Sequence, residues 1–214
     1  MIGGKLQGEN QAYGQRALVP AREAMTTDTI FDAASLTKVV ATTSAVMRLF
    51  EQGKVRLADK VTVYLPDFQN GKSDITVRQL LTHFSGMRPD VDLKPEWSGY
   101  STGIQKALID RPIAEPGERM IYSDINFILL GEIVHKVSGK PLDQFVRDEI
   151  FLPLRMMEST FNPPASWRPR IAPTEMWAGK PLRGVVHDPT TRFMGGVAGH
   201  AGLFTTAADL ARFA

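Results

Sequence analysis

The chain has 214 residues, 43% hydrophobic and 22% charged, with a formal net charge of +2. These are globular values, sufficient for one domain with a buried core, and the near-balanced charge leaves no nucleic-acid or membrane-surface footprint. The absence of cysteine excludes disulfides and thiolate metal sites, and the four histidines (His83, His135, His187, His200) lack metal-ligand spacing. No apolar run is long enough to span a membrane. The polar residues Met1 to Asn10 do not read as a signal peptide, so the compartment stays open: periplasmic or secreted if a longer parent carries a leader, cytoplasmic otherwise.

Residues 1–20 read as a short strand or hairpin, with turn signals at Gly3-Gly4 and Gly14. Thr26 to Thr29 is a turn, and Ile30-Phe31 leads into a helix predicted from Leu36 to Gln52. Val39, Val46, Leu49 and Phe50 are its predicted buried stripe, and Gly53 suits the position just past its end. Lys54 to Phe68 reads as extended chain plus turn. Thr76 is a good cap for a short helix through Val77 and Leu81, which stops before Ser85-Gly86. Further helices are predicted over 99–109, 125–137 and 142–150, the second stopped by Gly139 and Pro141. From Phe151 to Gly199 the prolines, glycines, Trp167 and Trp177 predict a long irregular stretch with a strand at most. Leu203-Phe204 reads as a strand end, and Thr206 to Asp209 opens a last helix with a capping-box pattern.

Ser35-Leu36-Thr37-Lys38 places a hydroxyl and an amine three residues apart, hence on one face if the segment is helical. An amine so placed can take a serine proton without a histidine. Ten serines and ten lysines give about one chance Ser-x-x-Lys in every two chains of this composition, so the tetrad needs support from its surroundings. Ser35 at the helix start has two readings: an N-cap, or a nucleophile beside unpaired backbone N–H groups. Tyr122 follows the Pro116-Gly117 turn and precedes an apolar helix. It reads as a packing residue or as a second catalytic group.

Taken together these segments resemble the serine β-lactamase and penicillin-binding-protein superfamily, in its class C-like branch with D-Ala-D-Ala carboxypeptidases and family VIII carboxylesterases. The resemblance rests on 29–38 around the tetrad, on Leu80-Leu81-Thr82-His83-Phe84-Ser85-Gly86, and on Pro116-Gly117-Glu118 through Tyr122-Ser123-Asp124 to Leu130-Gly131. Pro153-Leu154 with Met157, and Ala201-Gly202-Leu203-Phe204 through Asp209-Leu210, extend it to the C-terminus.

The resemblance implies an α/β fold, with an antiparallel sheet flanked by helices and a helical subdomain carrying Tyr122. It implies one domain over 1–214, lacking the C-terminal sheet strands and the first N-terminal helix and strand, with an incomplete oxyanion hole. It also implies a serine hydrolase acting through an acyl-enzyme on an ester, amide, β-lactam or D-Ala peptide. Ser35 would be the nucleophile, Lys38 the base, alone or with Tyr122, and Tyr122 the proton shuttle. Asp124 and His200 would line the substrate site. Asp124 stands where the class C pattern has asparagine, and a carboxylate only accepts hydrogen bonds whereas an amide also donates. It would pair with Lys38 or bind substrate amides. His200-Ala201-Gly202 has the letters of the family's third motif but precedes the Asp-Leu-Ala helix, which makes His200 a structural or pocket-wall residue. No metal, cofactor or nucleic acid is implied, and the oligomeric state stays open. The competing expectation is a catalytically silent penicillin-binding or scaffold module.

Overall fold

The computed structural model describes residues 10–68 and 74–214. β1 (Gln15–Ala17) and β2 (Glu23–Ala24) form an antiparallel hairpin, while the Gly3-Gly4 turn signal lies outside the described residues. β3 (Ile30–Asp32) runs directly into the Ser35 tetrad. A π-helical segment, Lys38–Thr43, then continues into α1 (Ser44–Glu51), so the predicted helix is present. Its stripe differs from the one expected. Val46 and Leu49 are buried, but Val39 and Phe50 are 54% and 43% exposed. For Val39 the cause is the π segment, whose i→i+5 winding breaks the 3.6-residue period and turns Lys38, Ala41 and Thr42 inward instead, whereas Phe50 lies in the regular helix beyond it.

α2 (Val77–Leu81) opens on a complete capping box: Thr76 Oγ1 accepts from the Gln79 N–H, and Gln79 Oε1 accepts from the Thr76 N–H. α3 (Tyr100–Ile109) follows. α4 (Asp124–Ser138) is buried continuously from Ile125 to Val134 and ends at Gly139, whose φ of 72° is the left-handed conformation glycine adopts freely. It is the central helix. α5 (Leu142–Val146) passes into a second π segment, Arg147–Phe151.

The stretch expected to be irregular holds more order than its composition suggests. It contains β4 (Thr160–Phe161), the hairpin of β5 (Met176–Trp177) and β6 (Lys180–Pro181), and α6 (Pro189–Phe193). α6 carries a legible start signal: Asp188 Oδ1 accepts from the Thr191 N–H, and Pro189 takes the first helical position.

β7 (Leu203–Thr206) is more than a strand end. Its four residues are all buried, and it is the middle of an antiparallel sheet of order β3-β7-β4, pairing Asp32 and Thr160 with Phe204 from its two sides. α7 (Ala207–Phe213) is capped by Thr206. The second half of its box does not form, because the Asp209 carboxylate accepts from the Glu158 N–H and Ser159 Oγ.

The result is a mixed α/β arrangement. The main core gathers α1 to α5, and a smaller cluster of Ile30, Ile171, Val186 and Phe204 lies beside the sheet. No helix among the described residues is long and apolar enough to cross a membrane. One contact fixes the site. Residue 199 passes so close to α4 that a Cβ there would lie 1.9 Å from the Phe127 carbonyl oxygen, and one at Gly131 would lie 3.2 Å from Gly199. Two glycines let the chain before β7 lie against α4 beside the start of the tetrad helix.

Candidate active site

The turn that presents Ser35 is held from several sides. Asp32 Oδ1 accepts from the Ala34 N–H at 2.9 Å, and its Oδ2 accepts from the His187 N–H at 2.8 Å. Ala34 has φ 45°, a left-handed backbone that costs a side-chain-bearing residue about 1 kcal/mol. Thr37 Oγ1 donates to the Ala34 carbonyl at 2.6 Å and accepts from the Leu203 N–H at 3.1 Å, tying the turn to β7.

Ser35 is exposed, and its hydroxyl does not cap the helix. The expected pool of unpaired N–H groups is also reduced. Those of Leu36, Thr37 and Lys38 donate to the carbonyls of Ala33, Ala34 and Ser35.

Three sequence-predicted residues converge here. Lys38 Nζ donates to Ser35 Oγ at 2.9 Å, and the Tyr122 hydroxyl oxygen lies 2.8 Å from the same Oγ. Lys38 is 4% exposed, turned inward by the π segment, and its Nζ lies 4.8 Å from the centre of the Tyr122 ring. It also donates to the His200 carbonyl at 3.0 Å and lies 2.6 Å from Asp124 Oδ1. Ser35 and His200 thus accept hydrogen bonds from the ammonium, while Asp124 pairs with it by charge, its buried Oδ1 accepting no hydrogen bond among the described residues.

Tyr122 comes from the loop that enters α4. Ser123, the cap of that helix, accepts from the Asn126 N–H and donates to the Arg88 carbonyl. His83 stacks on the Tyr122 ring, with centroids 4.5 Å apart. In the sequence His83 stood out only as part of a landmark heptad.

Asp124, the first residue of α4, faces Lys38 as an ion-pair partner. His200 is placed differently from a substrate contact. Its imidazole is 1% exposed, with Nε2 2.9 Å from both Asp188 Oδ1 and Thr191 Oγ1, and only its carbonyl reaches the site. Burial alone would raise the Asp188 carboxyl, but the hydrogen bond and charge of His200, with the Thr191 N–H, hold it well below the usual carboxylate range. Burial pushes the neighbouring Asp90 carboxyl up, although Thr190 Oγ1 donates to it.

Asp124, Asp188 and His200 bring ligand-type atoms within 4.8 Å of one another. The Lys38 ammonium against Asp124 and the direct Asp188–His200 hydrogen bond already engage these ligand-type atoms, a poor fit to a metal cation. Asp32, Asp188 and Thr37 were not singled out from sequence as site residues. Only Asp188 had a signal, its Asp-Pro helix start.

Two curated relatives align along almost the whole chain. A protein of Escherichia coli (strain K12) named "Putative D-alanyl-D-alanine carboxypeptidase" is 34% identical over 97% of this chain and 55% of its own length. A Bacillus subtilis (strain 168) protein named N-acetylmuramyl-L-alanine amidase is 36% identical over 95% of this chain and 53% of its own length. The chain therefore spans about half the length of the curated relatives it matches. Among solved structures, FmtA from Staphylococcus aureus superposes with a TM-score of 0.76 at 20% identity, covering 94% of this chain and 55% of that one. A class C beta lactamase superposes with a TM-score of 0.75 at 24% identity, covering 94% of this chain and 54% of that one. These likenesses show the fold. The beta-lactamase family model matches residues 5–214, and the chain belongs to that family.

Proposed function

We propose that this chain carries the nucleophile and proton-transfer groups of a serine hydrolase that works through an acyl-enzyme. The observation that carries the reading is the joint approach of Lys38 Nζ, at 2.9 Å, and the Tyr122 hydroxyl, at 2.8 Å, on an exposed Ser35 Oγ. Ser35 Oγ attacks the acyl carbon. Its proton enters the Tyr122 oxygen as the phenol's own proton passes to the departing nitrogen or oxygen, so charge does not build up on the ring. Lys38, donating into Oγ, offsets the negative charge that develops as the bond to carbon forms. Water then reverses these steps to free the acid and restore Ser35. Asp124 and the His200 carbonyl hold Lys38 in place rather than touching substrate.

Both relatives' names specify an amide bond to an alanine, which favours an alanine amide over an ester or a β-lactam as the substrate. The experiment is alanine release from a D-Ala-D-Ala peptide and from N-acetylmuramyl-L-alanine, beside a p-nitrophenyl ester and a chromogenic cephalosporin. Release of alanine that Ser35→Ala abolishes supports the assignment. Turnover confined to the ester or the cephalosporin rules out the alanine amide.

The ion pair that ties Lys38 to Asp124 also supports a second reading, a penicillin-binding module that acylates without turnover. Stoichiometric label that stays on Ser35 for hours would favour it, and rapid release would exclude it.

A further inference from the structure

We infer that His83 is a positioning residue that sets Tyr122 against Ser35; the inference rests on the reading of Tyr122 as the proton carrier. Tyr122 is 45% exposed, and its hydroxyl must keep hydrogen-bond distance to Oγ from a loop. One histidine supplies three holds on it. The His83 carbonyl accepts from the N–H of Ile121 at 2.8 Å, just before the tyrosine. His83 Nδ1 accepts from the N–H of Ser123 at 3.0 Å, just after it. The imidazole then lies against the phenol ring at 4.5 Å, with 29° between the planes. To do this His83 takes φ 61°, an uncommon backbone for a residue with a side chain, at the turn that follows α2.

The Ser123 N–H can only donate, so Nδ1 must be the acceptor and the ring proton sits on Nε2. Protonation would set one N–H against another and break the hold on Ser123. Burial, and then the charge of Lys38, push the imidazole below its ordinary value of 6.5, while Asp124 opposes them. The groups facing the ring are Lys38 from the tetrad helix, Asp124, Asn126 and Phe127 from α4, and Tyr122 itself. Acid that protonates His83 should therefore release Tyr122 and slow acylation of Ser35.

The test compares His83→Gly with His83→Asn, since both residues accept a left-handed backbone and asparagine keeps an acceptor near the Nδ1 position. The readout is the rate at which a fluorophosphonate labels Ser35, followed across pH. We expect His83→Gly to slow labelling by about 10²-fold, the scale of a small misplacement of a reacting group, and His83→Asn to recover about tenfold of that. The acid limb of the wild-type profile should be lost in His83→Asn. Equal rates in wild type and His83→Gly, or an unchanged acid limb in His83→Asn, would overturn the inference. Nitrogen-15 NMR of histidine decides it without any activity: the proton should sit on Nε2 at neutral pH, and the Ser123 amide should shift as His83 titrates. A proton on Nδ1 sinks the inference even if Ser35 labels normally, whereas absence of label from wild type counts against the hydrolase reading alone.

Discussion

In the proposed reading Ser35 owes its chemistry to the side chains beside it, and above all to Lys38. An ammonium 4% exposed is costly to bury, and Ser35, His200 and Asp124 together offset that cost. Asp124 is the charged partner. Its removal in Asp124→Ala should destabilise the fold by about 2 kcal/mol, below the usual range for a broken buried pair because two neutral acceptors remain. Lys38→Met should cost less, since Asp124 keeps contact with solvent at 22% side-chain exposure. Urea unfolding midpoints check the order, and equal losses would contradict the assigned asymmetry. Ser35, Lys38, Tyr122 and Asp124 were legible in the sequence because they lie in short motifs. The enclosure of His200 was not, because burial depends on Asp188 and Thr191, which reach it only after α6 has formed.

At the scale of elements, the site is made where the start of the tetrad helix, α4 and the segment entering β7 come within backbone contact. Thr42 Oγ1 donates to the Gly199 carbonyl at 2.7 Å, one residue from the carbonyl that receives Lys38. Gly199→Ala would push a methyl into the Phe127 carbonyl, with backbone on both sides and no flexible side chain to yield. The expected cost is about 3 kcal/mol, the upper end for overpacking, with slower labelling of Ser35 because the Lys38 acceptor moves. Denaturant unfolding beside a labelling assay measures both, and a wild-type midpoint would show that the close approach is dispensable. The helices over 77–81, 100–109 and 124–138 were readable from caps and periodicity. The π segment was not, since a 3.6-residue template has no place for i→i+5 turns, and Val39 was misplaced as a result. β7 was underread because four wholly buried residues show no alternation.

At the scale of the molecule, the charged network behind Ser35 ties stability to pH. Asp188 is held below its ordinary value of 3.8, so its contribution is present above that value and is lost as pH falls toward the folded one. His83, lowered from 6.5, gives up its share earlier, as pH falls below 6.5. Asp90, pushed up by burial, works in the opposite sense and gains as it protonates. Asp188→Asn should be less stable than wild type near neutrality and should approach it only progressively as pH falls below 3.8 toward the much lower folded value, where the native carboxylate loses its advantage. Parallel stability curves would show that Asp188 is not the group responsible.

The central claim is that Ser35 is an activated nucleophile in this chain. It is tested most directly by incubating the protein with a fluorophosphonate or a fluorescent penicillin and mapping the adduct by mass spectrometry. The account predicts one adduct per chain, on Ser35, absent in Ser35→Ala and strongly slowed in Tyr122→Phe, which keeps the ring and removes the hydroxyl. Absence of any adduct, or equal labelling of wild type and Ser35→Ala, would contradict it.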